Sequence, residues 1–407
     1  MHQPQDSVTL IAGEYAAEIS PRGARLLALS HGQEDLVVPA DRTEGGYAGC
    51  VLAPWPNRIA GASYTVDGSA HELAATEDST GAALHGLITE LDFTVAQQTE
   101  DILELTARLE ATEGYPWTLD LVLRARLLPE AGLGITLMAR QPVTETDAAD
   151  QEEQEADEDA VEPATADAAA AEETAETLDA PAEDPSADSG EESAETDAAA
   201  EAAEAAEADE APASEESAET AEAAETDEGA ETDEGAEAAD TEAEGAAQAD
   251  ETPAETPVRA PFGAGFHPYL RAGEAPLDEC RLTLPASTVL STESDGEVTG
   301  RETVSGDLDL VVGPRLDGRT IDHAYTDLPA EAWIAELTHD ASGLTVRLIA
   351  DTPWAQIFTG DSIGRAGVAV EPMTCPPDAF NSGEDVVRLT PGEWFRVGYS
   401  IEALRAG

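Results

Sequence analysis

From Thr144 to Thr256 the chain runs for 113 residues with 44 Asp and Glu and not one Arg, Lys or His. The stretch is otherwise mostly Ala, Thr, Ser, Gly and Pro, and Val161 and Leu178 are almost its only larger apolar side chains. So little apolar surface cannot offset the entropy of ordering the backbone, and the like charges repel one another. Disorder is therefore expected over 143–256. Runs such as Ala198 to Ala208 favour helix by propensity, but no apolar stripe would hold such a helix down. The near-repeat ETDEGA at Glu225 and Glu231 looks like low-complexity expansion. Any stable core must be built from the flanks, residues 1–142 and 257–407. The simplest arrangement is one discontinuous domain with the acidic block inserted at an exposed loop, where closure cost grows only logarithmically with length.

The composition of the flanks excludes several chemistries. Outside the block stand 43 of the chain's 87 acids against all 19 of its bases, so the folded part is also acidic. Every base is Arg. A Schiff-base lysine, a Walker-type lysine and a lysine nucleophile are thereby excluded. Nucleic acid and anionic membrane are poor partners for so negative a surface. Cys50, Cys280 and Cys375 are odd in number and far apart, with no CxxC spacing, so neither a zinc site nor a disulfide framework is indicated. The opening MHQPQDSVTL has no basic-then-apolar leader pattern and no run of 18 apolar residues occurs, which makes a cytoplasmic location the expectation.

Alternation dominates the flanks. Leu103, Leu105, Ala107 and Leu109 form one face, and Leu119, Leu121, Leu123, Ala125 and Leu127 another. The same period recurs at Leu344, Val346 and Leu348, and at Phe395, Val397, Tyr399 and Ile401. VTLI, YAAEIS, ARLLALS and DLVVP near the start are further strand candidates, and Asp67-Gly68 marks a tight hairpin. Many short strands without a long amphipathic helix predict an all-β protein, a large antiparallel sandwich or barrel.

Five clusters bear chemistry. Val368 to Gly383 reads VAVEPMTCPPDAFNSG, and delivers Glu371 to an expected strand end at Pro372 followed by an ordered, non-helical loop. A carboxylate with little charge beside it suits a general base, although a structural cap or ion pair would use the same residue. PWPNRIA places Asn57 and Arg58 side by side, where a turn with a salt bridge is the plainer reading. GAALHGL carries His85, GAGFHPYL carries His267 and TIDHAYT carries Asp322. An isolated histidine is most often structural, but His85 and His267 sit in glycine-rich loops where a ligand can approach the backbone.

Taken together, PWPNRI with Gly61 and Tyr64, LHG, GFHPYL, DHAYT, WAQIFTGD and EPMTCPPDAFNSG closely resemble the aldose 1-epimerases, or mutarotases, of the bacterial branch with HPY at the second histidine. The motifs come in that family's order across nearly all of the folded part. The acidic block and MARQP at Met138 to Pro142 depart from the family pattern. The resemblance implies a galactose mutarotase-like β-sandwich that interconverts the α and β anomers of a free hexose such as glucose or galactose. It implies Glu371 as general base and His267 as general acid, with Asn57, Arg58, His85, Asp322 and Gln356 on the sugar hydroxyls. Neither metal nor cofactor is required, and Trp55 or Tyr269 is expected to face the sugar's apolar side. A hexose-6-phosphate 1-epimerase, with Arg259 and Arg365 as phosphate candidates, and a non-catalytic sugar-binding protein are the alternatives. Monomer and homodimer both remain open.

Overall fold

The computed structural model describes residues 7–43, 46–143 and 259–405. The chain divides into two units, Met1–Val161 with Pro253–Gly407 and Glu162–Thr252, and the described residues all belong to the first. The disorder expected of the acidic block falls, Val143 apart, outside the described residues.

The expected all-β architecture is present. One eight-stranded antiparallel sheet runs in the order Thr94–Gln98, Ile102–Leu109, Leu119–Leu128, Gly132–Arg140, Phe395–Arg405, Leu344–Ala350, Trp333–His339 and Arg281–Thr283. The alternating segments read from the sequence are its long members, and most of their apolar positions are buried (Leu119, Leu121, Leu123, Ala125 and Leu127 in one strand), with Ala107 and Phe395 partly so. The second large sheet runs Val298–Thr303, Thr288–Thr292, Asp322–Thr326, Trp354–Phe358, Val368–Met373, Gly265–Phe266 and Val51–Leu52, with Tyr269–Leu270 also paired to Val368–Met373. A four-stranded sheet of Val8–Ala12, Tyr15–Ser20, Arg25–His31 and Glu34–Asp35 accounts for the first three N-terminal segments, whereas DLVVP contributes only Asp35 to it and Val37 makes an isolated bridge to Leu270. The Asp67-Gly68 hairpin forms between Ser63–Val66 and Ser69–Glu72, both turn residues having positive φ.

One apolar core joins the sheets. Phe266, Val368, Val370 and Ile357 from the second sheet belong to the same buried cluster as Leu121, Leu123, Val397 and Tyr399 from the first. Phe266 packs on Tyr399 with ring centroids 4.8 Å apart. Because side chains alternate along a strand, the neighbours of these residues point to the opposite face. That other face carries the site.

Two local expectations are corrected. Pro372 does not end the ladder, because the strand continues to Met373 and Pro372 pairs with Ala355. On its other side the register places Pro372 opposite Phe266, at the end of the two-residue strand Gly265–Phe266, where a missing N–H is tolerated. The loop beyond contains a short α-helix, Ala379–Ser382. The carboxylate of Asp378 accepts from the Ala60 N–H (2.9 Å) and from Asn381 Nδ2 (2.7 Å), which ties that helix to the PWPNRIA turn.

Candidate active site

The strand Val368–Met373 is the axis of the site. Its bridges Gly265↔Met373 and Tyr269↔Ala369 share one antiparallel register, so His267 lies directly opposite Glu371. On the other side Glu371 pairs with Gln356. Phe358, two residues further along its strand, pairs with both Ala369 and Asp322. Period-two geometry therefore puts Glu371, His267, Tyr269, Gln356, Phe358 and Asp322 on one face of the sheet.

Loops close over that face. Arg58–Ile59 pairs with Ala83–Leu84, and the His85 N–H donates to Asn57 O at 2.8 Å, so PWPNRIA and LHG reach the site as one unit. Asn57 and His85 both adopt left-handed backbone, φ 53° and 62°, and Asn57 Oδ1 accepts from the Arg58 N–H at 2.9 Å. This turn is the kind that Asn and His enter more readily than bulkier or branched residues.

Together these elements enclose a cavity of about 300 Å³. All seven residues expected at the site line it: Asn57, Arg58, His85, His267, Asp322, Gln356 and Glu371. Tyr269 lines it as well. Trp55 does not. Its ring is buried, with Nε1 donating to Ala83 O at 3.2 Å and its edge against Phe380, because the PWPN turn points it into the core. Arg259 and Arg365 also lie elsewhere. Arg365 is held by Asp278 at 2.7 Å and by the carbonyls of Leu316 and Arg319. Glu77, Tyr47 and Phe358 line the cavity without having been expected there. Phe358 follows Gln356 by two residues and extending the alternation would have found it. Tyr47, between glycines in EGGYAG, shares the surroundings that drew attention to His85. Glu77 sits among charged turn residues and carries no such signal.

His267 Nε2 and Glu371 Oε1 are 3.3 Å apart, with the residues only 5% and 2% exposed. Burial pushes the His267 imidazole down to about 4, and it raises the Glu371 carboxyl well above the ordinary range, an effect the nearby Asp322 reinforces and Arg58 opposes. Burial penalises both charged forms, so it favours a proton on Glu371 over an ion pair, and the contact lets the two groups pass that proton between them. His85 is likewise driven well below the usual value, by burial first and then by His267 and Arg58.

Four buried polar atoms at this cavity have no hydrogen-bond partner: His85 Nδ1, His267 Nδ1, Gln356 Oε1 and Glu371 Oε2. Gln356 Nε2 donates to Asp322 Oδ1 at 2.7 Å, which orients the amide and leaves its oxygen free. Unpaired buried polar groups are costly and uncommon in folded proteins. Here they cluster, interleaved with the Arg58 donors, in a mixture of acceptors and donors suited to hydroxyl groups, which are both at once. A broader hollow of about 430 Å³ on the other large sheet, lined by Gly134, Thr136, Arg396 and Gly398, gathers no such atoms.

The aldose 1-epimerase family profile matches residues 6–146 and 251–402, and the chain belongs to that family. The two matched segments flank the acidic block. An uncharacterized protein of Escherichia coli K12, YihR, is 26% identical over 408 residues, covering 100% of this chain and 96% of that one. Among solved structures, the GalM/aldose epimerase homologue from C. elegans is similar with a TM-score of 0.64 at 12% identity, covering 98% of this chain and 99% of that one. The galactose 1-epimerase from Lactobacillus acidophilus is similar with a TM-score of 0.61 at 13% identity, covering 100% and 98%. Likeness at these identities establishes the galactose mutarotase-like fold.

Proposed function

We propose that the protein is an aldose 1-epimerase acting on a free hexose, with Glu371 as general base and His267 as general acid. The observation that carries this reading is the buried His267–Glu371 contact at 3.3 Å inside a cavity lined with unpaired polar atoms. Anomerisation needs a base at the hydroxyl on C1 and an acid at the ring oxygen. Both oxygens hang from that one carbon, so the acid and base must lie within a few ångströms of each other, as these two do.

The proton count balances through the cycle. The reactive form has the shared proton on His267; from it Glu371 takes the proton from the C1 hydroxyl while His267 gives its own to the ring oxygen, the carbon–oxygen ring bond breaks and an aldehyde forms. Rotation about the C1–C2 bond presents the other face. His267 then recovers its proton as the ring oxygen attacks C1, and Glu371 returns one to the new C1 hydroxyl. The pair holds a single proton throughout and its net charge never changes. After opening, it stands as protonated Glu371 and neutral His267, the form that burial favours, so the protein does not have to stabilise buried charge in the open-chain state.

Asn57, Arg58, His85, Asp322 and Gln356 are assigned to the sugar hydroxyls, and Tyr269 and Phe358 to its apolar side. A neutral hexose is favoured over a 6-phosphate because two of the three Arg58 nitrogens are already taken by Glu77, while Arg259 and Arg365 lie outside the cavity. Polarimetry on freshly dissolved α-glucose and α-galactose tests the reading. Acceleration over the spontaneous rate that Glu371→Gln abolishes is the expected result. No acceleration by wild type across several aldoses and their 6-phosphates would sink it.

A further inference from the structure

Arg58 is held more firmly than contact with a hydroxyl requires. Its Nε donates to Glu77 Oε2 and its Nη2 to Glu77 Oε1, each at 2.7 Å. Thr80 Oγ1 donates to the same Oε2 at 2.5 Å. The other flank is closed by backbone: Gly296 has φ +98°, and a Cβ there would come within 2.7 Å of Arg58 Cβ. The Arg58 and Glu77 side chains are only 23% and 21% exposed, and both line the cavity. A solvent-facing ion pair would contribute little, but a bidentate one at a cavity wall fixes where a guanidinium points.

We propose that Glu77 is a positioning residue for the epimerase site, aiming the Arg58 guanidinium at the sugar and cancelling its charge so that Glu371 stays a strong base. The inference rests on the reading of Glu371 as the base. With Nε and Nη2 occupied, Arg58 presents its Nη1 edge in one orientation, and the entropy of ordering that long side chain is lost before substrate arrives. The charge argument follows from what surrounds Glu371. His267 stands opposite it and Gln356 on its other side, with Asp322, Tyr269 and Arg58 nearby; His85 and Tyr47 lie beyond His267, and Glu77 behind Arg58. Arg58 favours the Glu371 carboxylate, against burial and Asp322. The Arg58 hydrogen bonds hold Glu77 below the ordinary carboxylate range, so it is charged near neutrality and offsets that pull.

The two parts separate in Glu77→Gln, which keeps the shape and one acceptor but removes the charge. KM should rise about tenfold through loss of the charge-assisted pair. An unbalanced Arg58 lowers both macroscopic pKa values of the His267–Glu371 pair, so the bell-shaped pH profile of kcat/KM should move to lower pH by roughly half a unit or more. Thr80→Ala leaves every charge in place and should raise KM about threefold with the bell unmoved. Thermal melting establishes that each variant is folded. A folded Glu77→Gln protein whose bell stays in place overturns the proposal, because a merely structural glutamate would alter KM alone. If Glu77→Gln does not fold, an unchanged KM in Thr80→Ala overturns it. An inactive wild type would sink the parent reading, whereas an active wild type with unaltered variants sinks only this inference.

Discussion

Glu371 and His267 impose a cost on the fold that shows in its response to pH. A carboxyl whose folded pKa lies above its unfolded value binds more protons in the native state, so stability falls as pH rises beyond the unfolded value of about 4.5. His267, lowered from 6.5 to about 4, does the reverse, and its contribution to stability is lost as pH falls through that interval. Between about 4.5 and 6.5 the histidine's slope opposes the glutamate's. Glu371→Gln removes that slope. We expect it to cut turnover by about 10² to 10⁴-fold and to raise the melting temperature at neutral pH by about 2 °C or more. Polarimetry and calorimetry on one preparation check both, and a variant that is less stable than wild type at neutral pH would contradict this account. With substrate saturating, kcat should also trace a bell, because activity needs the pair to hold one proton, neither two nor none.

Strands and turns decide which residues meet. Alternation put GFHPYL, WAQIF and VAVEPM side by side, with His267, Tyr269, Gln356, Phe358 and Glu371 all facing one way. A one-residue slip in any of these strands would turn its site residues into the core. The turns are equally exacting. Gly86 has φ +77°, and a Cβ there would meet Ala53 O at 2.1 Å, in a place where Leu87 N donates to that same carbonyl at 2.7 Å. Gly86→Ala should therefore destabilise the protein by at least about 2 kcal/mol. It should also raise KM, since His85 immediately precedes it. Denaturant melts with kinetics on the surviving folded fraction would check this, and a variant of wild-type stability would show that the turn is not held so tightly.

At the scale of the molecule, the described residues on either side of the acidic block meet. Gln141 Oε1 accepts from the Ala260 N–H at 2.9 Å, and Gln141 O from the Gly392 N–H at 2.8 Å, so the two flanks are adjacent within the sandwich. Among the described residues, none from 134–143 or 259–266 lines the cavity. Deleting Thr144 to Thr256 should leave kcat/KM within about twofold of wild type, because shortening a loop between neighbouring ends changes the closure entropy only logarithmically. Loss of activity in a deletion variant that still melts cooperatively would give the block a part in catalysis.

The sequence by itself determined the all-β class, the long strands and seven of the residues that line the cavity, Glu371 among them, since alternation, turn chemistry and contiguous motifs are local properties. Glu371 among apolar neighbours already suggested an unusual carboxylate. Three things depended on tertiary structure. Trp55 went into the core because the direction of a turn's side chain is set by what packs beneath it. Glu77 reached Arg58 because a hydrogen bond across nineteen residues leaves no local pattern. The opposition of His267 and Glu371, 104 positions apart, is a matter of register, which is fixed only when the whole sheet assembles around its buried face.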